Sequence, residues 1–175
     1  PYDVYRMTTG MGKSMQELLA ASVELNVVDG VILPNLKMQG AEEACAYLDG
    51  EGRCSIHPYR PGICRLFPLG RYYENGGFSY FLQTGECAKE NRSKIKVSKW
   101  IDTPDLTRNQ QFTLQWHDLL HAMEERLTGE DEGKQREENL LLLRLFYLLP
   151  YEGTIDFYTQ FTERMEHWNG QNGQI

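Results

Sequence analysis

The sequence predicts an α+β protein. An irregular, cysteine-bearing N-terminal half with one hairpin and one helix precedes a three-helix C-terminal half. All four cysteines occur before residue 90, among frequent glycines and prolines. An Asn-Gly pair separates two aromatic-rich runs, which is typical of a β-hairpin. Later in the chain, apolar side chains recur every three or four residues, the period of an amphipathic helix. We therefore predict a cysteine-cluster domain over 1–102 and a helical region over 103–175 packed on it.

The first regular element is a predicted helix over 14–25. Ser14 is placed to cap it, and Glu17 follows three residues later, as in a capping box. For residues 26–40 the sequence predicts a short strand or a loop. An Asp-Gly pair there indicates a turn, while Pro34 weakens a strand prediction.

The middle of the chain is predicted to be mostly irregular over 41–70, where Gly- and Pro-rich turns recur. Residues 71–83 predict the clearest hairpin, because Asn-Gly-Gly at 75–77 lies between two aromatic-rich runs. Asn-Gly readily adopts the positive φ angles that a tight primed turn requires.

Three helices are predicted in the C-terminal region, over 105–129, 138–150 and 154–168, from their apolar periodicity. The charged stretch 129–137 between the first two predicts a loop. Together these segments predict a helical region without cysteine.

Composition excludes several classes of protein. The net charge of −7 argues against a general nucleic-acid binder. No apolar run approaches the roughly 20 residues of a membrane span, and the first residues do not resemble a secretion signal. We therefore expect a cytoplasmic protein. Residues 51–100 nevertheless carry nine basic and four acidic side chains, so the cations accompany the cysteines.

The cysteines allow four interpretations. They could form disulfides, be idle core residues, include a reactive thiol at Cys64 beside Arg60 and Arg65, or bind a metal or cluster. Nothing in the sequence indicates export, and prolines and glycines around 54–64 provide the sharp turns that metal ligands need. Metal binding is therefore the favoured interpretation. The spacing of the cysteines is only moderately specific for it, because no Cys-x-x-Cys pair is present. The candidate ligands are Cys45, Cys54, Cys64 and Cys87.

The neighbouring arginines have a physical role under the metal interpretation. Four thiolates around a divalent ion leave net negative charge, which nearby guanidinium groups offset. Arg60 and Arg65 are the predicted cofactor-binding residues for this reason, although they could equally be ordinary surface cations. His57, three residues after Cys54, could reach the same metal. The favoured interpretation, however, is an ordinary surface or half-buried histidine in a turn.

A known family has this pattern of residues. Cys45 precedes an aromatic-leucine pair, G-R-C-S-I-H occupies 52–57, and R-P-G-I-C-R-L-F-P occupies 60–68. Cys87 follows the predicted hairpin. Over these residues the chain resembles the CxxCxxCC-type family, also called YkgJ-like, which is named for expected zinc or iron chelation. The C-x-x-C-x-x-C-C motif itself does not occur in these 175 residues, and we expect it upstream of Pro1.

The resemblance implies a metal-chelating protein that binds an iron–sulfur cluster or zinc. We expect a [4Fe–4S] cluster in preference to zinc, because the ligands are all cysteine and many cations lie nearby. The first alternative is a cluster-dependent protein lysine N-methylase related to flagellin N-methylases, for which the sequence identifies no catalytic residue. The second is a non-catalytic module with a structural zinc, which would bind an acidic protein partner through basic residues: Arg60, Arg65, Lys94, Lys96 and Lys99.

Overall fold

A computed structural model describes residues 1–86 and 93–172. About half of the chain is helical and 18% is strand, which confirms the α+β prediction. In chain order the elements are α1 (Tyr2–Met11), α2 (Met15–Ala21), β1 (Val23–Val28), β2 (Val31–Leu36), β3 (Met38–Gln39), β4 (Ala44–Cys45), α3 (Gly62–Leu66), β5 (Leu69–Glu74), β6 (Gly77–Leu82), α4 (Val97–Ile101), α5 (Leu106–Leu127), α6 (Glu132–Leu143) and α7 (Phe157–Asn172). A 3₁₀ turn spans His57–Tyr59, and a π-helical segment spans Arg144–Leu148.

The chain forms two compact units. Unit 1 comprises residues 1–60 and 120–175, and unit 2 comprises residues 61–119. The division into 1–102 and 103–175 stays a prediction. In the part of the chain that the structure describes, no helix is both long and apolar enough to cross a bilayer.

In unit 1, α2 begins as its sequence predicted. The Ser14 hydroxyl accepts the Glu17 N–H, and the Glu17 carboxylate accepts the Ser14 N–H, which completes a capping box. The helix ends at Ala21, so the prediction that it continues to residue 25 was wrong. Val23 instead starts β1 and is buried. A β-branched residue is well suited to that position.

The hairpin β1–β2 follows directly. Asp29 (φ 51°) and Gly30 (φ 79°) form its two-residue turn, and Val28 pairs with Val31. Pro34 pairs with Leu25 inside the ladder, so the proline does not prevent the strand.

The helices of unit 1 supply its most deeply buried side chains. α6 begins at Glu132 because the Asp131 carboxylate caps it, accepting N–H groups of the first turn. The prediction of a loop through residue 137 was therefore wrong. After the π-helical segment, Arg164 of α7 donates to the carbonyls of Leu145, Leu149 and Pro150. The largest fully buried side chains are Leu18, Met123, Leu142, Phe146 and Phe157.

Unit 2 contains the predicted hairpin. β5 and β6 pair around Asn75 (φ 50°) and Gly76 (φ 69°), which confirms the turn prediction. The ring of Phe81 lies over Gly70, where an added Cβ would come within 2.4 Å of it. On α5, the His117 ring stacks on Tyr73 at 3.8 Å between ring centroids.

Three helices were not predicted. α3 lies in unit 2, within the stretch that was predicted to be mostly irregular. α1 lies in unit 1 and ends at Gly12 in the left-handed conformation. α4 lies in unit 2, where the Trp100 Nε1–H donates to the carbonyl of Phe67. All three lack a strong capping signal, since none has a side-chain N-cap hydrogen bond.

Candidate metal centre

Two of the predicted ligands lie in unit 1. Cys45 is on β4, opposite Met38, and Cys54 forms an isolated antiparallel bridge with Leu48. Both are half-buried free thiols. Leu48 also donates its N–H to the Cys45 carbonyl at 3.0 Å, so the backbone at Leu48 contacts both cysteine-bearing segments. We call residues 45–57 the cysteine loop.

Backbone hydrogen bonds fix the turn that returns the chain from Cys45 to Cys54. The Ser55 N–H donates to the Tyr47 carbonyl at 2.8 Å, and the Asp49 N–H donates to the Arg53 carbonyl at 2.9 Å. Gly52 takes a positive φ of 72° at the tip. The turn is therefore a short hairpin whose far strand carries Cys54.

The Asp49 carboxylate holds the tip of this hairpin. One of its oxygens accepts the N–H groups of Glu51 and Arg53, each at 2.9 Å. These two backbone hydrogen bonds, the Arg53 bond being the stronger influence, lower the pKa of Asp49 below its ordinary value. The Arg53 side chain also pairs with Asp49 and Glu51, so its charge is already matched by carboxylates.

The 3₁₀ turn at the end of the cysteine loop and just beyond it is held against α1 through Pro58 and Tyr59. The Tyr59 ring packs on Gly10 so closely that an added Cβ would lie 2.2 Å from the ring. Arg6 donates to the Pro58 carbonyl at 2.7 Å. The His57 N–H donates to the Cys54 carbonyl at 3.3 Å, while the His57 side chain is exposed. The position of Cys54 thus depends on α1 through the 3₁₀ turn.

The third predicted ligand lies in unit 2. Cys64 is exposed on α3, whereas its neighbour Arg65 is 7% exposed. The Arg65 Nη1 donates to the carbonyl of Asp102, the residue that directly follows α4, at 2.9 Å. Arg65 therefore links α3 to α4.

The other predicted cations differ in exposure. Arg60 is half-buried in unit 1, and the lysines of the proposed docking set, Lys94, Lys96 and Lys99, are exposed in unit 2. Their roles as cofactor-binding or partner-binding residues stay predictions.

The donor chemistry of the cysteine loop fits a thiophilic metal in part. Two thiols on a fixed backbone suit zinc or a cluster, but a tetrahedral site takes four ligands. Within residues 1–86 and 93–172, no group of three or more Cys, His, Asp or Glu side chains could hold a metal ion. Cys87 lies outside the described residues.

A pocket of about 250 Å³ lies elsewhere in unit 1. It is formed by the end of α1, the start of α2 and the segment after the π-helical turn, and its lining includes Thr8, Lys13, Tyr147 and Tyr151. Burial raises the pKa values of both tyrosines above the ordinary value. No lining residue is a cysteine, a histidine or a carboxylate.

Sequence reasoning missed the residues that position the cysteines. Asp49 and Gly10 received no role, although Asp-Gly-Glu-Gly at 49–52 carries the signal of an Asx-type turn. For Gly10 no local signal exists, because its closeness to Tyr59 arises from a contact between distant segments.

Comparison with known proteins identifies the class. A family model named CxxCxxCC and described as "Putative zinc- or iron-chelating domain" matches residues 9–95, about half of the chain. The chain belongs to this family through those residues, which confirms the resemblance seen in the sequence. The description supports metal chelation in general. Comparisons with curated proteins and with solved structures found no match.

Proposed function

We propose that this protein chelates a metal through cysteine thiolates and that the bound group is a [4Fe–4S] cluster in preference to zinc. The observation that carries the proposal is the family match over residues 9–95, which contains all four cysteines. A cysteine-rich segment that coincides with a chelating domain favours ligation over idle core thiols.

The cysteine loop supports the proposal for two ligands. Cys45 and Cys54 lie on segments joined through Leu48, and both thiols are free and half-buried. Partial burial limits the access of water and oxidants to bound metal, and a rigid backbone lowers the cost of ordering the ligands. Cys64 and Cys87 stay ligands predicted from the sequence.

The preference for a cluster rests on ligand type and charge. An all-cysteine set suits both zinc and iron–sulfur clusters, but cations near the sulfurs also tune the potential of a cluster. Residues 51–100 carry nine basic side chains. When bound, a cluster supplies one-electron redox chemistry. The proposal includes a reducing, cytoplasmic setting, because ligand thiols must not be oxidised to disulfides.

The deciding experiment is metal and acid-labile sulfide analysis, with visible absorption, of the chain purified without oxygen. We expect iron and sulfide in equal amounts and a broad absorption band that dithionite bleaches. A colourless protein with stoichiometric zinc would refute the cluster but retain chelation. A metal-free protein whose intact mass shows two disulfides would refute both.

Serine variants then test the ligands. Cys45→Ser and Cys54→Ser should each lose most of the bound metal while remaining folded by circular dichroism. Met38→Ser is the matched control, because it replaces an exposed sulfur-bearing side chain directly opposite Cys45. Equal metal content in all three variants would exclude the cysteine loop as the site.

A further inference from the structure

The outer edge of β1 is an open strand edge. β1 and β2 form a two-stranded antiparallel sheet, and the two-residue turn makes Val28 and Val31 its closing pair. Hydrogen-bonded and non-hydrogen-bonded pairs alternate along such a ladder. The N–H and C=O groups of Leu25 and Val27 therefore point away from β2, and within the described residues no backbone group outside the sheet bonds to them.

The opposite edge, on β2, is closed. The N–H of Ile32, which pairs with Val27, donates to the Asn139 side chain of α6 at 2.7 Å. Pro34, which pairs with Leu25, has no N–H to offer. The backbone groups of Ile32 and Pro34 both face away from β1, as the alternation of hydrogen-bonded and non-hydrogen-bonded pairs requires.

β1 lacks the features that usually block a strand edge. Its sequence, V-E-L-N-V-V, contains no proline, lysine or arginine. Leu25 is 41% exposed and Val27 is 69% exposed. Natural edges are commonly blocked by prolines, lysines, bulges or a covering element, so an open apolar edge indicates a surface for strand addition.

Residues that alternate along each strand and pair across the ladder share one face of the hairpin. One face carries Glu24, Asn26 and Asn35 together with Val28, Val31 and Leu33, and the other face is entirely apolar. Its members are Val23, Leu25, Val27, Ile32, Pro34 and Leu36. An added strand with apolar side chains at alternate positions would extend this face.

We infer that β1 pairs with β1 of a second copy of this chain, in an antiparallel arrangement about a twofold axis at Asn26. Leu25 of one copy then forms hydrogen-bonded pairs with Val27 of the other. Glu24, the single charged residue of the strand, lies opposite Val28 of the other copy, so like charges do not meet. A twofold axis at Leu25 would instead pair Val23 of one copy with Val27 of the other. That arrangement is disfavoured because Val23 is buried.

The length of the edge sets the strength of the association. A strand of six residues is about 20 Å long. Such an edge alone covers much less than the roughly 1,600 Å² of a standard interface. We therefore expect a weak dimer that dissociates on dilution.

Sedimentation velocity over a dilution series, combined with hydrogen exchange, tests the inference on the full chain. We expect a monomer–dimer equilibrium in which the amides of Leu25 and Val27 are protected at high concentration and exchange faster on dilution. A chain that stays monomeric up to its solubility limit overturns the inference. So does a dimer in which these two amides exchange at the same rate at every concentration.

Val27→Pro is the discriminating variant. It removes an N–H that the β1–β2 ladder does not use, as Pro34 already does on the other strand, so the hairpin should persist. Loss of one hydrogen bond per copy should weaken the dimer about tenfold or more. Asn35→Lys is the control, since this exposed residue of β2 lies away from the edge and should leave association unchanged. Equal dimerisation of both variants overturns the pairing.

Discussion

Replacing Gly10 by alanine probes how tightly the 3₁₀ turn that follows Cys54 is held to α1. An ideal Cβ at residue 10 would lie 2.2 Å from Cδ1 and 2.5 Å from Cγ of Tyr59. Cγ is the ring atom nearest the backbone, so a small rotation of the ring cannot relieve the overlap. Either the 3₁₀ turn or α1 must shift, and the turn follows Cys54 by only three residues.

Two effects of opposite sign determine the stability of Gly10→Ala. Alanine gains up to about 1 kcal/mol over glycine inside a helix, and less near an end such as this one. Overpacking costs about 1–3 kcal/mol. We expect the steric term to prevail, because the contact involves the body of an aromatic ring, and the free energy of unfolding should fall by about 1–2 kcal/mol.

Urea unfolding followed by circular dichroism measures this change. Gly170→Ala is the matched control: Gly170 lies near the end of α7, and a Cβ there would have no atom outside the local helix backbone within 4 Å. The control should be neutral or stabilising by up to about 1 kcal/mol. An unchanged or increased stability of Gly10→Ala would refute the steric reasoning.

A double-mutant cycle separates the ring contact from any other effect. In a Tyr59→Ala background, Gly10→Ala should lose its penalty and become as favourable as the control at Gly170. A coupling free energy near zero would show that Tyr59 is not the obstacle.

Three further predictions concern individual hydrogen bonds. Asn139→Ala should reduce the free energy of unfolding in urea by about 1–3 kcal/mol, because a residue 4% exposed loses its bond to the Ile32 N–H. Arg65→Met should cost a similar amount in the same assay, since it removes the buried donor to the Asp102 carbonyl. Asp49 should titrate below the roughly 3.9 of a free aspartate in a carboxyl NMR titration, because two backbone N–H groups stabilise its charged form.

The Asp49 prediction gives the acid response of the cysteine loop a definite sign. A lowered folded-state pKa means that the carboxylate stabilises the turn fully above the unfolded-state pKa. That contribution is lost as pH falls through the folded-state pKa. Exchange of the Arg53 amide should therefore rise in acid, relative to its intrinsic rate. A titration midpoint at or above the ordinary value would contradict the geometry.

Exposed residues provide controls for the other two substitutions. Asn35→Ala changes an exposed asparagine of β2 and should stay within about 0.5 kcal/mol of wild type. Arg108→Met removes an exposed ion pair with Asp105 and should cost less than about 1 kcal/mol. Costs as large as those at Asn139 and Arg65 would argue against burial as the cause.

Elements whose hydrogen bonds are local could be predicted from the sequence. The capping box of Ser14 and Glu17 lies within four residues, and the turn at Asn75-Gly76 needs no distant contact. Each is specified by the chemistry of its own side chains and backbone, so the sequence alone is sufficient.

Elements that depend on contacts between distant segments could not be predicted from the sequence. α1 contains Thr8, Thr9 and Gly10, all of low helix propensity, yet it forms where Tyr59 and Arg6 join it to the end of the cysteine loop. Pro34 argued against a strand because the sequence does not show which way its nitrogen points. In the hairpin it points outward, where no ladder hydrogen bond is lost.

In the candidate site, too, some features could be predicted from the local sequence and others depend on how distant segments fold. Residue type and family motif indicated Cys45 and Cys54 as ligands, but the bridge through Leu48 depends on how the intervening turn folds. Arg65 follows Cys64 directly and therefore was predicted to offset thiolate charge. That role stays a prediction. The Arg65 hydrogen bond to the distant carbonyl of Asp102 had no signal in the local sequence.

The closed edge of β2 has a consequence for how far strand addition can proceed. Asn139 occupies the Ile32 N–H, and Pro34 has none, so a third strand cannot dock there. A β1-to-β1 pair would therefore place a closed strand at each end of a four-stranded sheet. Such an assembly is closed. The β1 edge can pair with one partner strand, but the β2 edge cannot add the next strand that a fibril would need.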